Sequence, residues 1–402
     1  MNSLDTYLKG DKVIWLVVLL LSLISILAVY SSTGSLAYRY QSGNTEFYLY
    51  KHIFIIVFGL GLMWAFHQIP YKYFSPLSQL GIGLGVLLLF LTFFMGASIN
   101  QASRWLVIPG INITFQPSDI AKLSLIMYLA RVMSRSKEKL SDNKWVALHI
   151  MLPVFGICAL IVRSNFSTAA VLFVTCLILL FIGRLNYRYL FQMIGISLAG
   201  IVFIVLLGKA FPQAMPRLAT WEQRVEDFMK GKSSDDNSEE QYQVEQAKIA
   251  IATGGLLGKG PGHSDQRYFL PQSYSDFIYA IIIEEYGLFF GIFVLFLYLI
   301  ILFRGIRIVI KCNHTFGALL AMGCTFSLIF QGLINMAVAS NLFPVTGQPL
   351  PFLSMGGTSI WFSSIAVGII LSVSRLDEKN ESSEELESNN QVDGSIVPPF
   401  EV

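Results

Sequence analysis

Ten apolar runs, separated by polar segments, organise the chain. They lie near 13–31, 53–66, 77–96, 117–133, 146–162, 168–182, 188–208, 277–303, 315–339 and 357–374. A helix needs about 20 apolar residues to cross a hydrocarbon layer about 30 Å thick, and most of the runs approach that length. The runs at 117–133 and 168–182 are short and call for tilted neighbours. The run at 277–303 is long enough to tilt strongly or to break at Gly287 or Gly291. The pattern predicts an all-α polytopic membrane protein with ten transmembrane helices. The first run, Val13 to Tyr30, is too long for the apolar core of a signal peptide and lacks a small-residue cleavage site. It reads as a retained first helix.

Composition supports the same class. Of 402 residues, 54% are hydrophobic and only 13% charged, where a soluble domain carries about 25% charged residues. The net charge of +2 is uninformative, and nothing points to nucleic acid. The distribution of charge says more. Lys9, Lys12, Lys72, the cluster from Arg131 to Lys144, Arg184, Arg188, Arg304, Arg307, Lys311, Arg375 and Lys379 fall on one side of the alternating runs. Only Arg39, Lys51, Arg104 and Arg163 fall in the short connections of the other side. Basic residues collect on the cytoplasmic side. Both termini are therefore expected in the cytoplasm, and the long 209–275 segment outside. This divides the chain into a cytoplasmic N-terminus (1–12), a transmembrane domain (13–375) and an acidic tail (376–402) with the composition of a disordered segment. Cys158, Cys176, Cys312 and Cys324 have neither metal-ligand spacing nor a disulfide framework, and read as buried small hydrophobes.

Unusual residues collect on the outer side. Arg104 and Trp105 lie in the 98–116 connection. Gln116, Pro117, Ser118 and Asp119 then open the fourth run, with Pro at a favoured first helical position. Lys122 follows Asp119 by three residues, so the two share a helix face. They form either a self-neutralising ion pair or, with Arg104, a cationic surface for an anionic lipid headgroup. In the long loop, Trp221, Val225, Phe228 and Met229 recur at helical spacing and predict an amphipathic helix on the membrane surface. The glycines from Gly254 to Gly262 do not match a phosphate loop, because the spacing is one residue short and Lys259 precedes Gly260 rather than Ser or Thr. A turn that lets two backbones approach is the expectation. His263 has no second ligand at metal spacing.

The segment Tyr268–Gly287 carries three acids where polar sequence becomes apolar. Asp276 is expected near the outer water–lipid boundary, where partial desolvation raises a carboxylate pKa and suits it to general-base work. Glu284 would lie about 80° round the same helix and about 12 Å deeper, and Glu285 about 180° round. Bonding within the bundle is the plainer reading of the two glutamates; an N-cap is the plainer reading of Asp276. The 341–359 connection has no charge, three prolines and three glycines. It is expected to fold back into the bundle as a lining element. No internal repeat or symmetric pair of broken helices supports a transporter.

Several of these stretches occur together in one family. NQASRW at 100–105, QPSDIAKL at 116–123, YQVEQAKIAIATGGLLGKGPG at 242–262, LPQSYSDFIYAIIIEEYG at 270–287 and PVTGQPLPFLSMGGTS at 344–359 resemble the SEDS family (shape, elongation, division and sporulation), across roughly residues 10–375. The resemblance implies a lipid II polymerase working with a class B penicillin-binding protein and, in a division-type member, with other division membrane proteins. It implies a multi-pass protein of the cytoplasmic (inner) membrane, at the division septum for the FtsW-like form that PVTGQPLPFLSMGGTS favours. A RodA-like role in elongation is the close alternative, and a lipid II flippase is a reading from a different class. Carried over by position, the family's essential acid is Asp276, its Arg-Trp pair is Arg104 and Trp105, and its acid and lysine are Asp119 and Lys122. Asp119 stands where Glu is usual. Tyr274 and Ser275 replace the usual His-Thr or His-Ser, and the family's Glu-Pro-Asp-Leu-Gly-Thr is Arg163 to Thr168 here. Lys259 and Glu284 complete the expected substrate contacts. No metal ligands are assigned, although a divalent cation (Mg or Mn) could share the charge of a diphosphate leaving group.

Overall fold

The computed structural model describes residues 9–34, 36, 44–95, 97–99, 102–108, 113–210, 221, 224, 228, 239–271 and 273–393. Helices α1 (Lys12–Ser32), α2 (Thr45–Gln68) and α3 (Phe74–Met95) come first. Strands β1 (Ala97–Ile99), β2 (Ala102–Ile108) and β3 (Ile113–Phe115) follow. Then come α4 (Pro117–Arg135), α5 (Asn143–Val162), α6 (Phe166–Ile182) and α7 (Tyr187–Ala210). The order closes with α8 (Glu239–Gly254), α9 (Ile278–Tyr286), α10 (Leu288–Lys311), α11 (Thr315–Ala339) and α12 (Thr358–Asp393).

Local chemistry explains where these elements start and bend. Asp11 caps α1 by accepting from the Val13 and Ile14 amides at 3.0 and 3.2 Å. Its other oxygen takes Arg304 Nε at 2.6 Å, tying the start of α1 to the last turns of α10. Asn44 and Asn165 cap α2 and α6 in the same way. Within α5 a wide π turn occupies Ala147–Met151, just before Pro153. Proline has no N–H to return and its ring crowds the preceding turn, so the helix widens there.

Among the described residues, eight helices are long and apolar enough to cross a membrane: α1, α2, the α3 region, α5, α7, α10, α11 and the first 18 residues of α12. α4 carries four charged residues, and α6 has only 17 residues. α11 is the central post, since 72% of its apolar window is buried against 11% for α7. It packs on α4, α6, α10 and α12. α12 lies against α2, where Trp361 Nε1 donates to the Ile55 carbonyl at 3.1 Å.

Two sequence expectations change, and between them one left open is decided. The 98–116 connection is not plain loop but a three-stranded antiparallel sheet, so the fold is not purely α. Its pairs Ile99↔Ala102 and Ile108↔Ile113 join strands that are neighbours in sequence, and the β-branched residues of β2 and β3 suit strands. The 277–303 run is two helices, broken at Gly287 with φ +86°. Finally, residues 376–393 continue α12 rather than stand apart from it. Glu, Lys, Leu and Ser are tolerated in helices, and the stretch meets no Gly or Pro until Gly394. Residues 394–402 lie outside the described residues, as do Val225 and Met229 of the expected amphipathic helix. Trp221, Arg224 and Phe228 are helical. Cys158, Cys176 and Cys324 are buried, Cys312 is half-buried, and all four are free thiols.

Candidate functional site

α9 decides the geometry. Every residue from Ile278 to Glu285 is buried, against α1, α8, α10 and α11. Gly287 turns the chain sharply: the Ile283 side chain closes on Gly291 and the Tyr279 hydroxyl donates to the Gly291 carbonyl at 3.0 Å. α9 is thus folded back on α10 rather than continuing it. A helix break of this kind leaves orphan carbonyls on one side and orphan amides on the other. The glycine-rich turn after α8 satisfies both. Lys259 and Gly260 amides donate to the Glu284 and Glu285 carbonyls at 2.9 Å each, and the Leu288 amide donates to the Gly255 carbonyl at 2.9 Å. A Cβ on Gly258 would stand 2.3 Å from the Glu285 carbonyl oxygen, so only glycine lets the two backbones meet. This is the close backbone approach expected of the turn.

The glutamates belong to this splice. Glu284 is fully buried. It accepts from Lys259 Nζ at 2.6 Å, from the Asp265 and Gln266 amides at 3.2 and 3.3 Å, and from the Ser264 hydroxyl. Lys259 also holds Asp265 at 2.9 Å. The hydrogen bond to Glu284 raises the Lys259 pKa above the ordinary lysine value; burial opposes it, and a weaker contribution from the hydrogen bond to Asp265 adds to the rise. Glu285 takes the Ser31 hydroxyl at the end of α1, and Arg267 Nη1 donates to the Ser31 carbonyl at 3.3 Å.

The depth order expected along 276–285 is therefore reversed. Glu285 meets Ser31, near the end of α1. The turn that grips the Asp276 segment is bonded to Ser25, six residues further in and about 9 Å along the helix. α9 runs back toward the long loop, so the Glu284 end meets loop residues and Asp276 lies at the inner end. Sequence periodicity gives the spacing of two residues on a helix but not the direction in which that helix runs.

Asp276 is half-buried, and Ser275 Oγ donates to its Oδ1 at 2.9 Å. Its main chain is held from two elements. Asn335 Nδ2, on α11, donates to the Asp276 carbonyl and to the Gln348 carbonyl, both at 2.8 Å. The Met355 amide donates to the Tyr274 carbonyl at 2.9 Å, and Ser354 Oγ to the Ser275 carbonyl at 2.6 Å. The apolar 341–357 connection does fold into the bundle, with Leu350, Phe352, Leu353 and Ser354 buried.

One turn along α11, Gln331 repeats the pattern. Its Nε2 donates to the Pro349 carbonyl at 3.0 Å, and its Oε1 accepts Lys122 Nζ at 2.9 Å. Residues four apart share a helix face. Lys122 and the Asp276 segment are therefore fixed to one face of α11 and one stretch of the 348–355 connection. Lys122 also lies 3.6 Å from Asp119 Oδ1, so the anticipated helical ion pair forms, but loosely. Asp119 is buried, and its Oδ2 has no hydrogen-bond partner among the described residues. Trp105 is half-buried on β2, opposite Ala97. The sheet leads into α4 beside the start of α12, where the Gln116 amide donates to Thr358 Oγ1 at 3.4 Å. Arg104 lies on β2, and its side chain is outside the described residues. Gln331 and Asn335 were invisible as site residues in the sequence; two amides four apart in an apolar helix were the available signal, because a buried amide must find partners. Among the described residues, no three His, Cys, Asp or Glu side chains converge to hold a metal ion.

Comparison with known proteins agrees with this architecture. The chain is 33% identical over 383 residues to the probable peptidoglycan glycosyltransferase FtsW of Bacillus subtilis, covering 92% of each. It is 30% identical over 369 residues to stage V sporulation protein E of the same organism, covering 91% of this chain and 97% of that one. Among solved structures, a chain of a peptidoglycan synthase complex that coordinates polymerization and crosslinking superposes with TM-score 0.72 at 21% identity, over 92% of this chain and 99% of that one. The rod shape determining protein RodA of Thermus thermophilus superposes with TM-score 0.61 at 24% identity, over 92% and 98%. Residues 11–379 match the family model that joins FtsW, RodA and SpoVE, so the chain belongs to this family of cell cycle proteins.

Proposed function

We propose that the chain is a peptidoglycan glycosyltransferase that polymerises lipid II into glycan strands on the outer face of the cytoplasmic membrane. The observation that carries the reading is the α11 amide pair, which holds Lys122 and the Asp276 segment against one connection. An acid able to take a proton and a cation able to meet a leaving diphosphate are the two groups this transfer needs. The acceptor presents its GlcNAc 4-hydroxyl to Asp276, which takes the proton. The hydroxyl oxygen bonds to the anomeric carbon of the donor strand. The opposite bond of that carbon breaks with inversion, and the electron pair leaves on undecaprenyl pyrophosphate. Lys122 meets the developing charge together with Arg104, and Trp105 and Asp119 line the approach. A divalent cation (Mg or Mn) carried by the diphosphate would add to the same work, and lipid II polymerisation with and without chelator reads its share. We assign Lys259 and Glu284 no substrate contact, because their bonding capacity is spent on the splice between the long loop and α9.

The loop-bearing end of the bundle is the outer end in this reading, with both chain termini in the cytoplasm. The eight long helices with α4 and α6 then make ten passes, and the basic residues named from the sequence fall at the opposite end. The solved synthase complex supports a partner that crosslinks the product, namely a class B penicillin-binding protein. The FtsW relatives favour a place among the division proteins at the septum, which localisation in dividing cells tests. Lipid II polymerisation by the purified chain with its transpeptidase, comparing wild type with Asp276→Asn, tests the chemistry. Loss of product with an unchanged melting temperature is the expected result. Wild-type polymerisation by Asp276→Asn overturns the assignment. Transport of lipid II has lost its sequence argument, since Glu284 and Glu285 are bonded to the long loop and to the end of α1.

A further inference from the structure

His52 on α2 is fully buried and takes no part in the chemistry above. Its Nε2 lies 2.8 Å from Ser25 Oγ on α1. Ser25 Oγ in turn lies 2.9 Å from the Leu353 carbonyl. A carbonyl only accepts, so the single Ser25 proton points to Leu353. Ser25 must then accept from His52, which fixes the imidazole as the Nε2–H tautomer. The direction of the relay is thus set from His52 through Ser25 to the backbone of the 350–355 turn.

That turn is a strained element that needs holding. Phe352 has φ +62°, a conformation that is strained for a bulky residue and persists only where its surroundings impose it. Three bonds impose it from both sides of Phe352. Tyr298 donates its hydroxyl to the Pro351 carbonyl, Ser25 donates to Leu353, and Ser354 Oγ accepts from the Leu350 amide at 2.7 Å. The same Ser354 hydroxyl donates to the Ser275 carbonyl, and the Met355 amide to Tyr274. The two residues that follow the Ser25 contact, Ser354 and Met355, are therefore the ones that grip the segment ending in Asp276.

We propose that His52 is a positioning residue for Asp276: by orienting the Ser25 hydroxyl on Leu353 it locks the 350–355 turn, and the turn locks the Tyr274–Asp276 backbone. This rests on the glycosyltransferase reading of Asp276. His52 touches no substrate, so its loss acts on turnover rather than binding. A catalytic group displaced by about 1 Å can lose about a hundredfold in rate.

The experiment compares His52→Asn, His52→Gln, Ser25→Ala and Asp276→Asn in the full chain with its transpeptidase, by steady-state lipid II polymerisation, melting temperature and amide hydrogen exchange over residues 350–357. The Gln amide reaches the place of Nε2 and keeps a donor for Ser25, whereas the shorter Asn amide does not. His52→Asn and Ser25→Ala should each lower kcat about ten- to a hundredfold with KM unchanged and speed exchange over 350–357. A chain carrying both His52→Asn and Ser25→Ala should lose no more than either single variant, and His52→Gln should restore both readouts. Wild-type kcat and exchange in His52→Asn overturn the proposal, as does an equal loss in His52→Gln that follows a lowered melting temperature. If Asp276→Asn polymerises normally, the reading of the site fails instead, and the exchange comparison alone then judges the brace.

Discussion

Asp276 and Glu284 sit eight residues apart, one just before the short buried helix α9 and the other near its end, and are held in different ways. Glu284 is enclosed: its two oxygens accept from a lysine, a serine and two backbone amides, all from the long loop. Asp276 is half-buried, and the bonds that fix its place go to backbone carbonyls of residues 274–276. A carboxylate held through its own oxygens has its charge neutralised in place and works as a fastener. Asp276 is fixed through its main chain as well, so its place does not rest on its carboxylate alone, which suits a group that must receive a proton. The difference separates two acids that composition treats as equivalent, and the proposed function assigns the chemistry to the Asp276 end of the segment.

Substitutions at the two ends should therefore fail differently. The largest effect is expected for Asp276→Asn, where loss of a general base lowers polymerisation by about 10²–10⁴-fold with folding intact. Lys122→Met should cost about a hundredfold in kcat, read in the same assay, by removing a donor to the leaving group. Glu284→Ala should reverse the pattern. Deleting one partner of a buried charged pair costs about 3 kcal/mol, seen as a lower melting temperature, while turnover per folded molecule is kept. A Glu284→Ala protein that melts normally but is inactive would break the comparison. Asn335→Ala sharpens it. One lost hydrogen bond to the Asp276 carbonyl should lower kcat about tenfold with little change in KM.

The smallest effect concerns pH. The folded-state pKa of Lys259 is raised, chiefly by its hydrogen bond to Glu284. The stabilisation is fully present below the ordinary lysine pKa and is lost as pH rises through the higher folded value. Lys259 is partly exposed, so solvent screens the term to about 1 kcal/mol or less. The wild-type melting temperature should fall over that alkaline range by a small step that Lys259→Met lacks.

Much of this was legible along the chain, because the signals were local. Apolar runs gave helices, Pro117 and the asparagine caps gave their starts, and the glycines at 254–262 announced a close backbone approach. The candidates Asp276, Asp119 and Lys122 were visible as charges in apolar surroundings, which are costly unless they serve something. The 102–108 strand was hidden in a short connection, because its pairing partners lie outside any helical period. Gln331 and Asn335 were hidden for another reason. They read as tolerated polar residues in an apolar helix until the 348–355 connection returned to meet them.

The stretch 268–287 divides the two sources of information most sharply. Its sequence determined that a polar loop enters an apolar helix, that acids stand at 276, 284 and 285, and that Gly287 can break the run. Those are properties of residue type and spacing, fixed by backbone sterics and by the cost of burying charge. Only the tertiary structure decided that the chain reverses at Gly287. That reversal depends on hydrogen bonds from a turn about 30 residues earlier, whose amides and carbonyls replace those the broken helix loses. It turned the supposed deep acids into the fastening of the long loop and left Asp276 at the inner end, beside the post that also holds Lys122.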